Sequence, residues 1–280
     1  MNLYDAHQHF QFDSLVPHHA AIAADLRVIG LRRAVVNATN AEEWPVVADL
    51  ARRHDWIVPS HGVHPWDSGN RAAGWLDGLR AALVADPRAG VGEIGLDRFI
   101  LGLKPGDPRI EGLRVASLDE QIEVFTTQLA LAAELNRAAS IHCVRAWGAL
   151  IEALQNTPRP ARGFLLHGYG GPAEMIRTFT DLGAYFSFNI ELTEPQREGR
   201  LENFKEIPAD RLLVETDAPT KPPPPERNRF PLGAGPDGTA INHPANIVVA
   251  YEALAELRGV TVEELAAQVE TNFNRLFLPS

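Results

Sequence analysis

His7-Gln8-His9 closes the first extended stretch of the chain, Asn2-Leu3-Tyr4-Asp5-Ala6. Side chains two residues apart on extended backbone share a face, so both imidazoles can reach one cation. Histidine has many uses besides ligation, and the pair needs context. His18-His19, in a polar segment without such a run, reads as solvated. Further metal-competent side chains stand at the ends of other apolar runs: Glu93 after Val91-Gly92, His142 after Ser140-Ile141, His167 after Leu165-Leu166 and Asp217 after Val214-Glu215-Thr216. Any one of them reads as a locally satisfied polar group. Together, four imidazoles and two carboxylates exceed what one tetrahedral zinc takes and suit two divalent cations sharing Glu93. Water held by such ions loses a proton near neutral pH, which makes hydrolysis the expected reaction class.

These residues need strands to bring them to one place. Short apolar runs alternate with helical patterns through nearly the whole chain, the signature of repeated βα units. The expected strands are Leu3 to Ala6, Ala34 to Asn37, Ile57 to His61, Ala89 to Glu93, Ala139 to His142, Gly163 to His167, Ala184 to Phe188 and Leu212 to Glu215. Eight such runs predict an α/β fold, a (β/α)8 TIM barrel with its site at the C-terminal ends of the strands. Leu118 to Leu135 carries the clearest amphipathic helix, and Thr261-Val262-Glu263-Glu264 reads as a capping box opening a terminal covering helix towards Phe277. Residues 98–116 and 220–242, rich in Pro and Gly, break the rhythm and read as functional loops or lids, or else as plain surface insertions.

Composition narrows the function further. A chain of 280 residues with 45% hydrophobic and 22% charged residues fits one barrel domain spanning 1–280. A formal net charge of −10 argues against a broad basic face that grips nucleic acid, though not against a local basic mouth. Cys143 is the single cysteine, so neither a disulfide framework nor a thiolate zinc cluster is expected. Met1 leads almost directly into the first strand, with no basic and apolar leader and no membrane-length apolar stretch. A soluble cytoplasmic protein without an obligate protein partner is expected.

Asp5-Ala6-His7-Gln8-His9, Gly62-Val63-His64-Pro65-Trp66, Gly92-Glu93-Ile94-Gly95-Leu96-Asp97, Ile141-His142, His167-Gly168-Tyr169-Gly170-Gly171 and Glu215-Thr216-Asp217-Ala218-Pro219 run in an order that resembles the TatD family of metal-dependent hydrolases. The resemblance covers essentially the whole chain. It implies an amidohydrolase-type barrel in which His7, His9, Glu93 and Asp217 serve one ion and Glu93, His142 and His167 the other, with magnesium, manganese or zinc as candidate metals. Asp217 would accept the proton of the attacking water. Family members include DNases acting at DNA ends, and relatives linked to removing D-amino acids from mischarged tRNA.

His64 falls at the family's Gly-x-His-Pro histidine, a candidate substrate contact or leaving-group acid, or else a loop residue that shapes the mouth. His61 reads as structural, His54 as a solvated helix end and His243 as a loop residue. Arg145 lies one residue beyond the family's His-x-Arg arginine. It could grip phosphate as a bidentate fork or pack in the first turn of a helix. Asp97 could orient a ligand or pair with a loop cation. Gln121 and Phe125 match the next helix, Phe125 as core. Arg98, Lys104, Lys221, Arg227 and Arg229 could form a cationic rim or stay solvated. Ile241 replaces the arginine that usually precedes the Asn-x-Pro segment, here Asn242-His243-Pro244, which weakens the case for phosphate.

The leading expectation is a metal-dependent phosphodiesterase of DNA ends. Hydrolysis of an ester, amide, lactone or aminoacyl-tRNA bond by the same site is the alternative, and a purely structural metal scaffold carries least.

Overall fold

The computed structural model describes residues 1–235 and 238–278. Eight parallel strands, β1 (Leu3–Gln8), β2 (Leu31–Asn37), β3 (Ile57–Ser60), β4 (Val91–Asp97), β5 (Ala139–Val144), β6 (Phe164–Leu166), β7 (Ala184–Phe188) and β8 (Leu212–Val214), follow one another in space as in sequence. β1 to β3 and β4 to β8 form two continuous ladders, joined where Ser60 pairs with Gly90. The ring closes beyond β8, where the Asp217 amide donates to the His7 carbonyl at 2.9 Å and the His9 amide to that of Ala218 at 2.7 Å. Strands buried on both faces read as continuous apolar runs, which is why Ala34-Val35-Val36 and Phe164-Leu165-Leu166 are fully enclosed.

Helices α1 (His19–Ile29), α2 (Trp44–Arg53), α3 (Trp75–Ala85), α4 (Leu118–Glu134), α5 (Trp147–Asn156), α6 (Ile176–Asp181), α7 (Glu198–Glu206) and α8 (Ile247–Arg258) lie between or after the strands. A ninth, α9 (Val262–Phe277), starts at the expected capping box, in which Thr261 and Glu264 each bond the other's backbone amide. It packs across β1 and β8 at the seam of the ring: Phe273 meets Tyr4 at 4.9 Å, and the Asn272 amide donates to the Ala209 and Leu212 carbonyls at 2.8 Å.

Several expectations shift. β4 begins at Val91 rather than Ala89 and runs on to Asp97, so Glu93 sits inside a strand and Asp97 ends it. Gly95 permits this extension, because a Cβ there would lie 2.0 Å from the His142 carbonyl oxygen of β5. Residues 220–242 are not wholly irregular, since β9 (Pro231–Ala234) and β10 (Ala240–Asn242) make an antiparallel hairpin. His19 is not simply solvated: its ring stacks on Phe10 at 4.0 Å and its Nε2 lies 2.8 Å from the Phe10 carbonyl oxygen. His54 likewise packs its edge against Phe10.

Candidate metal centre

The strands and the segments just beyond them bring six side chains to one buried point. From β1, His7 and His9 place their Nε2 atoms 3.2 Å apart. Glu93 Oε2 lies 3.4 Å from His7 Nε2 and 3.3 Å from His9 Nε2, and Asp217 Oδ1 lies 3.5 Å from His9 Nε2. The other oxygen, Glu93 Oε1, faces a second group: His142 Nδ1 at 2.8 Å, His167 Nε2 at 2.9 Å and His64 Nε2 at 3.4 Å. The rings of His7 and His167 stack at 3.9 Å, so the two groups share a wall.

Each imidazole is oriented from behind. His9 Nδ1 donates to the Asn37 carbonyl at 2.8 Å, and His142 Nε2 is 3.2 Å from Asp97 Oδ2. His7 Nδ1 is 2.9 Å from Ser140 Oγ and 3.1 Å from the Asn37 amide nitrogen. Turning that amide over would give the orphaned Asn37 Oδ1 a partner in the His7 ring N–H. Glu215 stands 3.7 Å from His167 Nδ1 and is itself held by Ser187 and Asn189. With the rear nitrogens of His7, His9 and His142 engaged, the front nitrogens of the four rings converge with two carboxylates between them. That donor set, nitrogen and oxygen without thiolate, fits divalent cations.

Electrostatics follow from burial of this many charges. For Glu93 burial works upward, yet the neighbouring charges of His167, His64 and His7 hold its carboxyl well below the usual range. Asp217 is lowered in the same way, chiefly through its hydrogen bond with His9 once burial is overcome. His9 is pushed up to about 10, because hydrogen bonds to Asp217 and Glu93 outweigh the burial that opposes its charge. Burial, with the charge of His167, moves His7 down. Burial also moves His64 down. Beneath the pair, burial raises the Asp5 carboxyl to about 8, and it links β1 to the segment after β8 by accepting from the Thr216 hydroxyl at 2.6 Å and amide at 3.1 Å.

All six expected ligands and His64 therefore meet. Asp97 touches His142 and accepts from Trp66 Nε1 at 2.7 Å, so it orients a ring rather than pairing with a loop cation. Arg145 stands apart from the cluster, exposed, with φ of 56° and its guanidinium 5.2 Å from the Phe99 ring centre. It precedes α5 instead of packing in its first turn. The expected cationic rim is partly neutralised, since Lys221 pairs with Glu191 at 3.1 Å and Arg229 with Glu252 at 2.7 Å. His61 is buried with its Nδ1 unpartnered, as a structural residue can be, and His243 lies, as expected, in a loop, where it is buried against Asp25.

Sequence reasoning passed over the residues behind the ligands: Asn37, Ser140, Glu215 and Gln128. Gln121 and Gln128, fully buried on α4, grip the backbone on both its donor and acceptor sides, Gln121 at Asp97 and Gln128 at Val63 beside His64. Two glutamines seven residues apart on an otherwise apolar helix face were the available signal.

A family model described as TatD related DNase matches residues 4–278. The chain is 28% identical over 275 residues to the uncharacterized metal-dependent hydrolase YabD of Bacillus subtilis (strain 168), covering 98% of each chain. It is 30% identical over 253 residues to the 3'-5' ssDNA/RNA exonuclease TatD of Erwinia tasmaniensis, covering 90% of each. The crystal structure of YJJV, a TatD homolog from Escherichia coli K12, superposes with a TM-score of 0.84 at 26% identity, over 99% of this chain and 98% of that one.

Proposed function

The chain belongs to the TatD-related DNase family, whose relatives include metal-dependent hydrolases, and from that premise we propose that it hydrolyses terminal phosphodiester bonds of DNA at a two-cation site. The observation that carries this reading is the division of Glu93, with Oε2 turned to His7 and His9 and Oε1 to His142 and His167. A carboxylate so divided would be able to serve two cations at once. His7, His9, Glu93 and Asp217 would hold one, and Glu93, His142 and His167 the other. Divalent cations there supply Lewis acidity and a water acidic enough to attack near neutral pH.

The remaining work falls to the chain's own groups. Asp217, held low beside the imidazoles, is a carboxylate able to take the proton of the attacking water as oxygen adds to phosphorus and the ester oxygen departs. Arg145, Arg98 and Lys104 are exposed beyond the ends of β4 and β5 and meet no carboxylate among the described residues, which supports a polyanionic substrate on that side. No described helix is long and apolar enough to cross a membrane.

The test is a substrate panel on metal-stripped protein reconstituted separately with magnesium, manganese or zinc. End-labelled single-stranded DNA, an aryl phosphodiester, a lactone and an aminoacyl ester are compared. Shortening of the DNA from its ends, abolished by EDTA and restored by metal, is expected. Turnover confined to the lactone or aminoacyl ester, or a DNA signal indifferent to EDTA, overturns the proposal.

A further inference from the structure

We propose that His64 is not a further metal ligand but a fixed, neutral hydrogen-bond donor that presents Nε2–H to the substrate oxygen on the Glu93 Oε1 side of the site. Distance alone invites ligation. Nε2 of His64 is 3.4 Å from Glu93 Oε1, its ring meets His142 edge-on at 4.5 Å, and its side chain is 13% exposed, so a substrate can reach it. The opposite side of the ring decides the matter. The Trp66 backbone amide donates to His64 Nδ1 at 3.2 Å. A ring nitrogen that accepts carries no proton, so the one proton of the neutral ring is on Nε2, and a protonated nitrogen has no lone pair for a metal.

Two of the expected ligands show the opposite wiring. His9 Nδ1 faces the Asn37 carbonyl oxygen and His142 Nε2 faces the Asp97 carboxylate, partners that only accept. Each therefore carries a proton at the rear, which leaves the front nitrogen as the one that can offer a lone pair to a cation.

The chain supplies an internal control. His243-Pro244-Ala245, after β10, repeats the His-Pro-x turn of His64-Pro65-Trp66 without meeting any of the expected ligands. There too the amide two residues on donates to Nδ1, at 2.9 Å, and Nε2 lies 3.3 Å from the Asp25 carboxylate, which an N–H satisfies. In both places the turn writes the tautomer. At His64 the turn is also held rigid: the His64 amide donates to the Thr39 carbonyl at 2.7 Å, and Gln128 grips Val63. A donor fixed before reaction stabilises an oxygen that gains negative charge, without transferring its own proton. Leaving-group acid is thus not its role. The acceptor is an oxygen of the ester undergoing hydrolysis, and this part rests on the function proposed above, whereas the tautomer does not.

The test has a substrate-free arm and a kinetic arm. In 15N spectra of the metal-loaded protein at about pH 7, with the His64 signals identified by their loss in His64→Gln, Nδ1 should be unprotonated and Nε2 protonated. Metal analysis should find the same number of ions per chain in wild type, His64→Gln and His64→Ala. On whichever ester the wild type turns over, His64→Gln, which keeps an amide N–H, should stay within about tenfold in kcat, while His64→Ala falls by about 10²–10³-fold. A protonated Nδ1, a lost metal equivalent in His64→Gln, or a glutamine variant as poor as the alanine one overturns the proposal. Because tautomer and metal count are read without substrate, their failure is distinct from an absence of nuclease activity.

Discussion

Asp97 Oδ2 lies 3.2 Å from Nε2 of His142, on the side of the ring turned away from Glu93. The same carboxylate caps the turn that follows β4, accepting from the Phe99 amide at 2.7 Å. Asp97→Asn can keep the capping acceptor but gives up the charge behind the ring. Outer partners of metal-bound histidines are worth about 10–100-fold in metal affinity or activity. A metal titration should show weakening in that range with an unchanged melting profile, and unaltered affinity would remove Asp97 from the site.

Asn242 joins the two ends of the segment that carries Asp217, its amide donating to the Thr216 and Lys221 carbonyls, each at 3.0 Å. Asp217 and Lys221 both sit at positive φ, 54° and 53°, conformations that need such support. Asn242→Ala should cost about 1–3 kcal/mol through the buried carbonyl groups left without partners. Metal affinity should fall with it. Thermal melts and a metal titration check both, and a variant that melts like wild type would show that the segment holds its shape without Asn242.

Burial holds His61 down to about 4, against its ordinary value of 6.5. Between those values the unfolded chain binds a proton that the folded chain refuses, so stability falls as pH drops through the window and is unaffected above it. The shift corresponds to about 3 kcal/mol at full effect. His61→Gln lacks this term. Its denaturation curves should lose about 3 kcal/mol less than wild type on acidification through the window, and parallel losses would contradict the assignment.

Arg145 has a ring contact with Phe99 and no carboxylate partner among the described residues. Arg145→Ala should lower kcat/KM on single-stranded DNA by about 10–100-fold, the loss of one charged hydrogen-bonding contact, and flatten its salt dependence. Hydrolysis of a neutral aryl ester should change much less. An equal loss on both substrates would make Arg145 a prop for the loop and not a phosphate contact.

The candidate ligands were legible because the barrel pattern turns polar residues along the strands into a single mouth, and because His7 and His9 declare their shared face by spacing alone. The family motifs then fixed Glu93, His142, His167 and Asp217 in order. What stood behind them was not legible. Ser140, Asn37 and Glu215 are lone polar residues whose partners lie 133, 30 and 26 or more residues away, and no local period marks them. The reach of β4 to Asp97 was hidden for a related reason: Gly95 reads as a strand weakener until β5 is seen lying against it. The two His-Pro turns were visible as dipeptides, but which nitrogen each turn occupies is a fact of three-dimensional geometry.

The seam between β1 and the segment after β8 sets an order of events during synthesis. The Thr216 amide that binds Asp5 lies 211 residues downstream of it. His7 and His9 leave the ribosome well before the groups that complete their surroundings, Asp217 among them, have been made. Until then the nascent chain offers a pair of imidazoles without the other candidate ligands. Capture of metal by the full proposed ligand set would have to wait until the ring is sealed, so ion uptake would report completion of the barrel.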